Sequence, residues 1–241
     1  MATTKPATQG ANRRARVTAR PLIFVGGGEH AAVVVDAARA EPGRWRPLGF
    51  TDIAPAADAR RRLGISHLGD DAVLDRYIAE AVAGGDRTAF VCAIGSPAER
   101  RRAVVARLGP EAIWATIVHP TAWVSPSATL GEGTVVLAGA TVNAAARIGR
   151  HAIVNSRVVV EHDVEVGDFV HIGPGAVVGG GAVIGDDAFV GLGALVRDHV
   201  VIGSGATVGM GAVVVDDVES DATVVGSPAR PRAVTAGSAE P

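Results

Sequence analysis

The stretch "IVNSRVVVEHDVEVGDFVHIGPGAVVGG", Ile153–Gly180, places an aliphatic residue at every sixth position: Val154, Val160, Val166, Ile172 and Val178. The register runs outward in both directions without an insertion. From Val118 to Val214, all seventeen such positions are Val, Ile or Leu, and the residues four further on, from Ala122 through Thr134 to Val218, are all Ala, Val or Thr. Glycine or asparagine, the residues most tolerant of a positive φ, fills eleven of the seventeen positions directly after the aliphatic one. This is the hexapeptide repeat of a parallel β-helix. The aliphatic residue and its small partner point inward, and the outer positions are free for chemistry.

Upstream the grammar is different. "PLIFVGGG" from Pro21 reads as a buried strand and turn, and "EHAAVVVDAARA" as a helix. "RPLGFTD" is a second strand, followed by the amphipathic helix "DDAVLDRYIAEAVAGG", with Asp70 or Asp71 as N-cap and Gly84 as its stop. "TAFVCAIG" is a third strand and "SPAERRRAVVARLG" a third helix, with Ser96 as N-cap and Pro97 at the first helical position. A βαβαβ succession implies a small parallel sheet, a half-sized Rossmann-like unit. The expected organisation is a disordered tail over 1–20, a Rossmann-like domain over 21–112, a β-helix over 113–232 and a second tail over 233–241.

Composition excludes several classes. A net charge of −2 gives no electrostatic reason for nucleic acid or an anionic membrane. No apolar run approaches a membrane span of ~20 residues, and the polar N-terminus is no secretory signal. The lone Cys92 sits in an apolar run, reads as a small buried hydrophobe, and suits a reducing, cytoplasmic setting.

The central stretch interrupts itself with "EHD" and a second imidazole nine residues later. His162 is third in its hexad and His171 last in its own, so neither occupies an inward slot; a solvated loop histidine is the plain alternative. Glu161 stands where the repeat usually has glycine, and Asp163 flanks the imidazole on the other side. His151 and His199 are both fourth in their hexads. The γ-class carbonic anhydrases, which resemble this repeat and hold zinc with three histidines, have an H-x₄-H pair; none occurs here, so no metal is expected. His67 and His119 read as surface residues. Trp45, Trp114 and Trp123 read as packing at domain seams.

The repeat resembles the left-handed β-helix of hexapeptide acyltransferases. That resemblance implies three hexads per triangular coil, nearly six coils, and stacking of residues eighteen apart, which sets the backbone of Gly180 one coil from His162. A base, a carboxylate and an exposed N–H are the parts of acyl transfer. Over nearly its whole ordered length the chain resembles the PglD/NeuD-type sugar acetyltransferases. "IFVGGGEHAAVVVDAAR", "VCAIGSPAERRRAV", "VNSRVVVEHDVEVGDFVHIGPGAVVGG" and "VVGSPARP" carry the likeness. It implies His162 as general base with Asp163 beside it, His171 against the acetyl group, Gly180 N–H on the thioester oxygen and Asn155 on the substrate. Acetyl-CoA is the implied co-substrate. The closing "GSPARP" adds Arg230 and Arg232 where its phosphates are expected; solvated tail charges are the plain alternative. Adjacent residues of an extended strand point apart, which leaves a His162–Asp163 contact open.

The turn from Gly26 to Ala31 satisfies G-x-G-x-x-A between a strand and a helix, a weak dinucleotide signal alone. The resemblance implies a nucleotide-sugar site there instead, with the diphosphate or sugar near Gly26, Gly28 and His30. Asp52 ends the second strand, where a ribose or base contact is expected; a plain loop aspartate is the alternative. Glu29 departs from the family, which often has glycine there. Three functions stay open: N-acetylation of a nucleotide-linked aminosugar for surface glycans, O-acetylation of a sugar such as a sialic acid, and a catalytically silent nucleotide-sugar-binding scaffold. A homotrimer is expected, because coenzyme sites of this fold lie between neighbouring helices.

Overall fold

Alternating apolar strands and glycine turns give the first half of the chain its sheet, and the six-residue period gives the second half its prism. The structure, a computed structural model, describes residues 19–41, 43–70, 72–82, 88–95 and 98–232. The expected caps and stops at Asp71, Gly84, Ser96 and Pro97 lie outside the described residues, as do 1–18 and 233–241.

The first half contains β1 (Arg20–Val25), α1 (Glu29–Arg39), β2 (Trp45–Thr51), α2 (Ala59–Leu63), β3 (His67–Gly69), α3 (Ala72–Val82), β4 (Ala89–Cys92), α4 (Ala98–Leu108) and β5 (Ile113–Trp114). The strands pair in parallel in the order β3-β2-β1-β4-β5. Three strands were expected from the sequence and the described residues contain five. The additional β3 and β5 are short edge strands, too brief for a periodic signal. Strand β5 lies just past the expected start of the β-helix at 113 and pairs with β4. At the head of α3, Asp70 Oδ1 accepts the Ala72 N–H at 3.0 Å, so it performs the capping role. Cys92 is buried.

The second half is the left-handed β-helix. Seventeen two-residue strands run from β6 (Ile117–Val118) to β22 (Val213–Val214), and each ends on the aliphatic residue of its hexad. They are followed by β23 (Thr223–Val225) and the antiparallel β24 (Arg230–Pro231). The strands stack into three parallel faces. The first face holds β13 (Val159–Val160), the second β14 (Glu165–Val166) and the third β15 (His171–Ile172). Ile153 pairs with both Val135 and His171, so residues eighteen apart do stack. The aliphatic and small positions together form one continuous buried column from Val136 to Val224. Each buried Val or Ile contributes about 1.5–3 kcal/mol.

The positive φ does not fall where glycine is most frequent. It falls three residues after the aliphatic one, at Ala145, His151, Arg157, Asp163, Phe169, Asp187 and His199, with φ from 54 to 60°. A left-handed residue with a side chain costs about 1–2 kcal/mol. Each is tied to the coil below, for example by Asp163 N–H to Ala144 O at 3.0 Å and Phe169 N–H to Arg150 O at 2.8 Å. Glycine directly after the aliphatic residue answers a different need, coil spacing. A Cβ on Gly131 or Gly149 would lie 2.5 Å from the carbonyl carbon of the next coil.

The third face carries the N-terminal half. Ile117, Val135 and Leu137 share one buried cluster with Leu22, Val34 and Val35. Trp114 meets the expectation of seam packing, edge-on to His151 at 4.7 Å, and Trp45 is half-buried. Trp123 does not, being 59% exposed on the first face. His67 is also not a plain surface residue: its ring lies 5.0 Å from that of Phe50, and Nε2 bonds the Asp52 carbonyl at 3.1 Å.

Candidate active site

His162 sits on the prism edge between the first and second faces, in the turn joining β13 to β14. Asp163 is not extended. Its φ of 58° folds the carboxylate back, and Oδ2 lies 2.9 Å from His162 Nδ1. The contact left open by the sequence is therefore made, through a left-handed turn. Both side chains are well exposed. The carboxylate only accepts, so Nδ1 is the donor in this contact. The Nε2 edge faces Gly180: a Cβ there would lie 2.8 Å from Nε2 and Cε1. The register also ties the two coils here, with Gly181 N–H on His162 O at 2.9 Å.

His171 is set quite differently, on the third face, at the seam with the N-terminal half. Its Nδ1 lies 2.9 Å from the Gly95 carbonyl and its Nε2 3.2 Å from Asn155 Nδ2. Asn155 is itself buried, and its Oδ1 accepts the Ser156 N–H at 2.8 Å. Burial, with His30 and Arg101 adding to it, pushes the His171 pKa down to about 4. The whole second-face strand β14 lies between the two histidines along the chain, so one protomer holds them on separate sides of the prism.

The glycine turn packs beside this seam. Gly26 has a φ of 106°, and a Cβ on it would meet Ile94 Cγ1 at 2.6 Å. Gly28 precedes α1 as its N-cap, exposed, without a side-chain cap, which leaves N–H groups for an anion. His30, in the first turn of α1, lies 5.9 Å from the His171 ring and against Gly95. Its Nε2 is buried without a partner, and burial, then Arg101, lowers its pKa to about 4. Asp52 is occupied by backbone: Oδ2 accepts the Gly27 N–H at 2.7 Å and Oδ1 the Ala54 N–H at 3.0 Å. Arg62 reaches the same turn, donating to the Gly27 carbonyl at 3.0 Å.

A cavity of about 240 Å³ lies within the N-terminal half, bordered by Gly26, Asp52, Ile53 and Ile94. Two more open along the seam, one of about 550 Å³ lined by Arg101, Arg102, His171, Asp187, Phe189 and Thr207, and one of about 630 Å³ lined by Trp114, Glu132, Arg150, His151 and Phe169. Arg230 lines none of them. It lies exposed at the last coil, 3.5 Å from Asp216. Arg232 bonds Thr223 O through its backbone at 2.7 Å.

Sequence reading passed over Arg101 and Arg102, although "AERRRAV" contains them. Arg101 is only 2% exposed and shares the inward stripe of α4 with Val104 and Leu108. That spacing of three and four was the available signal. Arg102 pairs with Asp187, Nε to Oδ1 at 2.9 Å, and lies 4.7 Å over the Phe169 ring. His151 is stacked on Phe169 at 5.0 Å and buried, not a ligand. Among the described residues no group of three or more His, Cys, Asp or Glu is placed to hold a metal ion. Among the same residues no helix is long and apolar enough to cross a membrane.

An α/β half leading into a six-residue-period prism with an imidazole–carboxylate pair on its edge defines a hexapeptide-repeat sugar acetyltransferase. Residues 21–107 match the PglD N-terminal domain and residues 145–180 the bacterial transferase hexapeptide repeats. The chain is 34% identical to PerB from Caulobacter crescentus, solved in complex with CoA and GDP-perosamine. The TM-score is 0.78, and the match covers 88% of this chain and 97% of that one. The acetyltransferase domain of PglB from Neisseria gonorrhoeae, in complex with acetyl coenzyme A, is 32% identical with a TM-score of 0.78, covering 89% and 100%. WeeI from Acinetobacter baumannii AYE is 25% identical with a TM-score of 0.76, covering 88% and 100%. No curated protein matches the chain. The chain belongs to the PglD/NeuD-type family of acetyl-CoA-dependent sugar acetyltransferases.

Proposed function

We propose that this protein transfers the acetyl group of acetyl-CoA to the amino group of a nucleotide-linked 4-amino-deoxy sugar, a cytoplasmic step in surface glycan synthesis. The observation that carries the reading is the His162–Asp163 contact of 2.9 Å with the Nε2 edge open over Gly180. The thioester supplies the acyl group, and this chain supplies the proton handling. Asp163 holds the Nδ1 proton and stabilises the imidazolium that forms. His162 Nε2 takes a proton from the sugar amine as its nitrogen attacks the thioester carbonyl. Gly180, lacking a side chain, leaves room for that carbonyl, and its N–H is the proposed donor to the oxygen. His162 can then return its proton to the departing thiolate. No acyl-enzyme is needed.

The fit for coenzyme is favourable around this edge. Val183, Leu195 and Val201 are exposed on the two adjoining faces, an apolar path for a pantetheine arm. The Gly26–Gly28 turn and the Asp52 loop line the end of the parallel sheet, where the nucleotide is proposed to bind with His30 and Asn155 close to the seam. Asp52 would do so while holding Gly27, through its remaining lone pairs. Arg230 is proposed for the coenzyme phosphates on the strength of the resemblance and its exposure.

We propose a homotrimer, which the same geometry supports. His162 and His171 lie on separate sides of one prism, so a site using both needs the edge of one copy against the third face of another. Light scattering is expected to give three chains per particle; a monomer across micromolar concentrations would remove the shared site. The substrate test is acetyl-CoA turnover against a panel of nucleotide 4-aminosugars and free sialic acids. Turnover restricted to the aminosugars is expected. Turnover of the sialic acids alone would make this an O-acetyltransferase, and none at all would leave a binding scaffold.

A further inference from the structure

Arg101, among the largest fully buried side chains of the described residues, grips both halves of the molecule. Its Nη1 donates to the Gly95 carbonyl at 2.8 Å, and its Nη2 donates to the Phe169 carbonyl of the β-helix. The same Gly95 carbonyl takes His171 Nδ1 at 2.9 Å. A carbonyl only accepts, so the Nδ1 of His171 bears the proton and its Nε2 is an acceptor. The other end of the chain agrees. Asn155 Oδ1 is committed to the Ser156 N–H at 2.8 Å, which turns the Nδ2 donor toward His171 Nε2 at 3.2 Å. Five groups in series, from Arg101 to Ser156, thus have consistent polarity with a single arrangement of protons.

We propose that Arg101 is a positioning residue: by fixing the Gly95 carbonyl across the seam, it locks His171 as the neutral Nδ1–H tautomer and sets the plane of its ring in the 550 Å³ cavity. The proposal deepens the acetyltransferase reading and rests on it for the involvement of His171 in turnover. A second proton on His171 would have to face the Asn155 amide donor, with His30 and the Arg101 cation on the remaining sides. The depressed pKa of His171, about 4, agrees with this. His171 therefore cannot serve as a base near neutral pH. Its contribution is shape and an uncharged surface, set by a residue that touches no reacting atom.

The test is imidazole proton–nitrogen correlation spectroscopy on the full-length protein, with His171→Gln assigning the resonance. Wild type is expected to show one neutral Nδ1–H tautomer for His171 from pH 7 to pH 5.5. An Nε2–H tautomer, or titration inside that window, would overturn the proposal without any variant. In Arg101→Met the second tautomer should appear and kcat should fall by up to about 100-fold, the scale of a small misplacement, while KM for a GDP-linked aminosugar changes by less than about threefold. Arg101→Lys, which keeps one donor, should recover part of kcat. A folded Arg101→Met protein with the wild-type spectrum and wild-type kcat would also overturn it. If Arg101→Met does not fold, the wild-type spectrum and Arg101→Lys decide. Loss of all aminosugar turnover in wild type, with the tautomer as stated, would sink the acetyltransferase reading and leave the locked His171 standing.

Discussion

His162 and His171 are nine residues apart on the same repeat and occupy opposite settings. The first is exposed on a prism edge with a carboxylate on its Nδ1 and a glycine under its Nε2. The second is enclosed at the domain seam, with a carbonyl on Nδ1 and an amide donor on Nε2. Nine residues are half of an eighteen-residue coil, so the period that aligns the hydrophobic column sends these two side chains to different sides. An imidazole becomes a candidate base when one nitrogen is held by an acceptor and the other is left open. With both nitrogens engaged in low dielectric it becomes a neutral wall.

The largest expected effect separates the two directly. His162→Ala should lower turnover by about 10²–10⁴, the scale of a general base, with little change in the dissociation constant for acetyl-CoA measured by calorimetry. Near-wild-type turnover at neutral pH would remove His162 from the chemistry and erase the contrast.

The enclosed histidines should instead appear in stability. His30, His151 and His171 have pKa values lowered from 6.5 to about 4, in each case chiefly by burial. Between those values the unfolded chain binds protons that the folded chain does not. Their contribution is thus fully present above pH 6.5 and is lost as pH falls toward 4, with an upper bound of about 3 kcal/mol for each group. Calorimetric Tm should drop steeply over that range. His151→Phe should flatten the slope, since Phe169, eighteen residues on, already accepts φ 60° on the same edge. An unchanged slope would mean that His151 titrates normally.

The smallest effect belongs to Asp163. Its contact with His162 is exposed on both sides, and such pairs are worth about 0.2–1 kcal/mol. Asp163→Asn should therefore cost less than about tenfold in kcat, read from steady-state rates across pH 6–8. A loss as large as that of His162→Ala would show that the carboxylate does more than orient the ring.

Much of this was legible early, for a physical reason. A β-helix repeats its environment, so each hexad reports the same inward pair, and periodicity alone located the buried column from Val136 to Val218. The stacking of Gly180 on His162 followed once the resemblance supplied three hexads per coil. The edge strands β3 and β5 were invisible, because two or three residues cannot display a period. Glycine directly after the aliphatic residue answers the close approach of the next coil, as at Gly131 and Gly149, whereas the left-handed turn lies two residues further on, held by Gly133, Gly139 and other glycines and, in the remaining hexads, by residues such as His151, Asp163 and Phe169.

The linear sequence thus determined the two halves, the repeat, its inward residues and the imidazole–carboxylate pair, because each depends on neighbours at fixed separations along the chain. Only the tertiary structure decided that Asp163 folds back onto His162, that Trp123 is exposed while His67 is packed, and that Arg101 and the Gly95 carbonyl close over His171. Those contacts depend on a local backbone inversion or join residues as far as 76 positions apart. No period along the chain encodes them, and those around His171 exist only once the parallel sheet has docked on the third face of the prism.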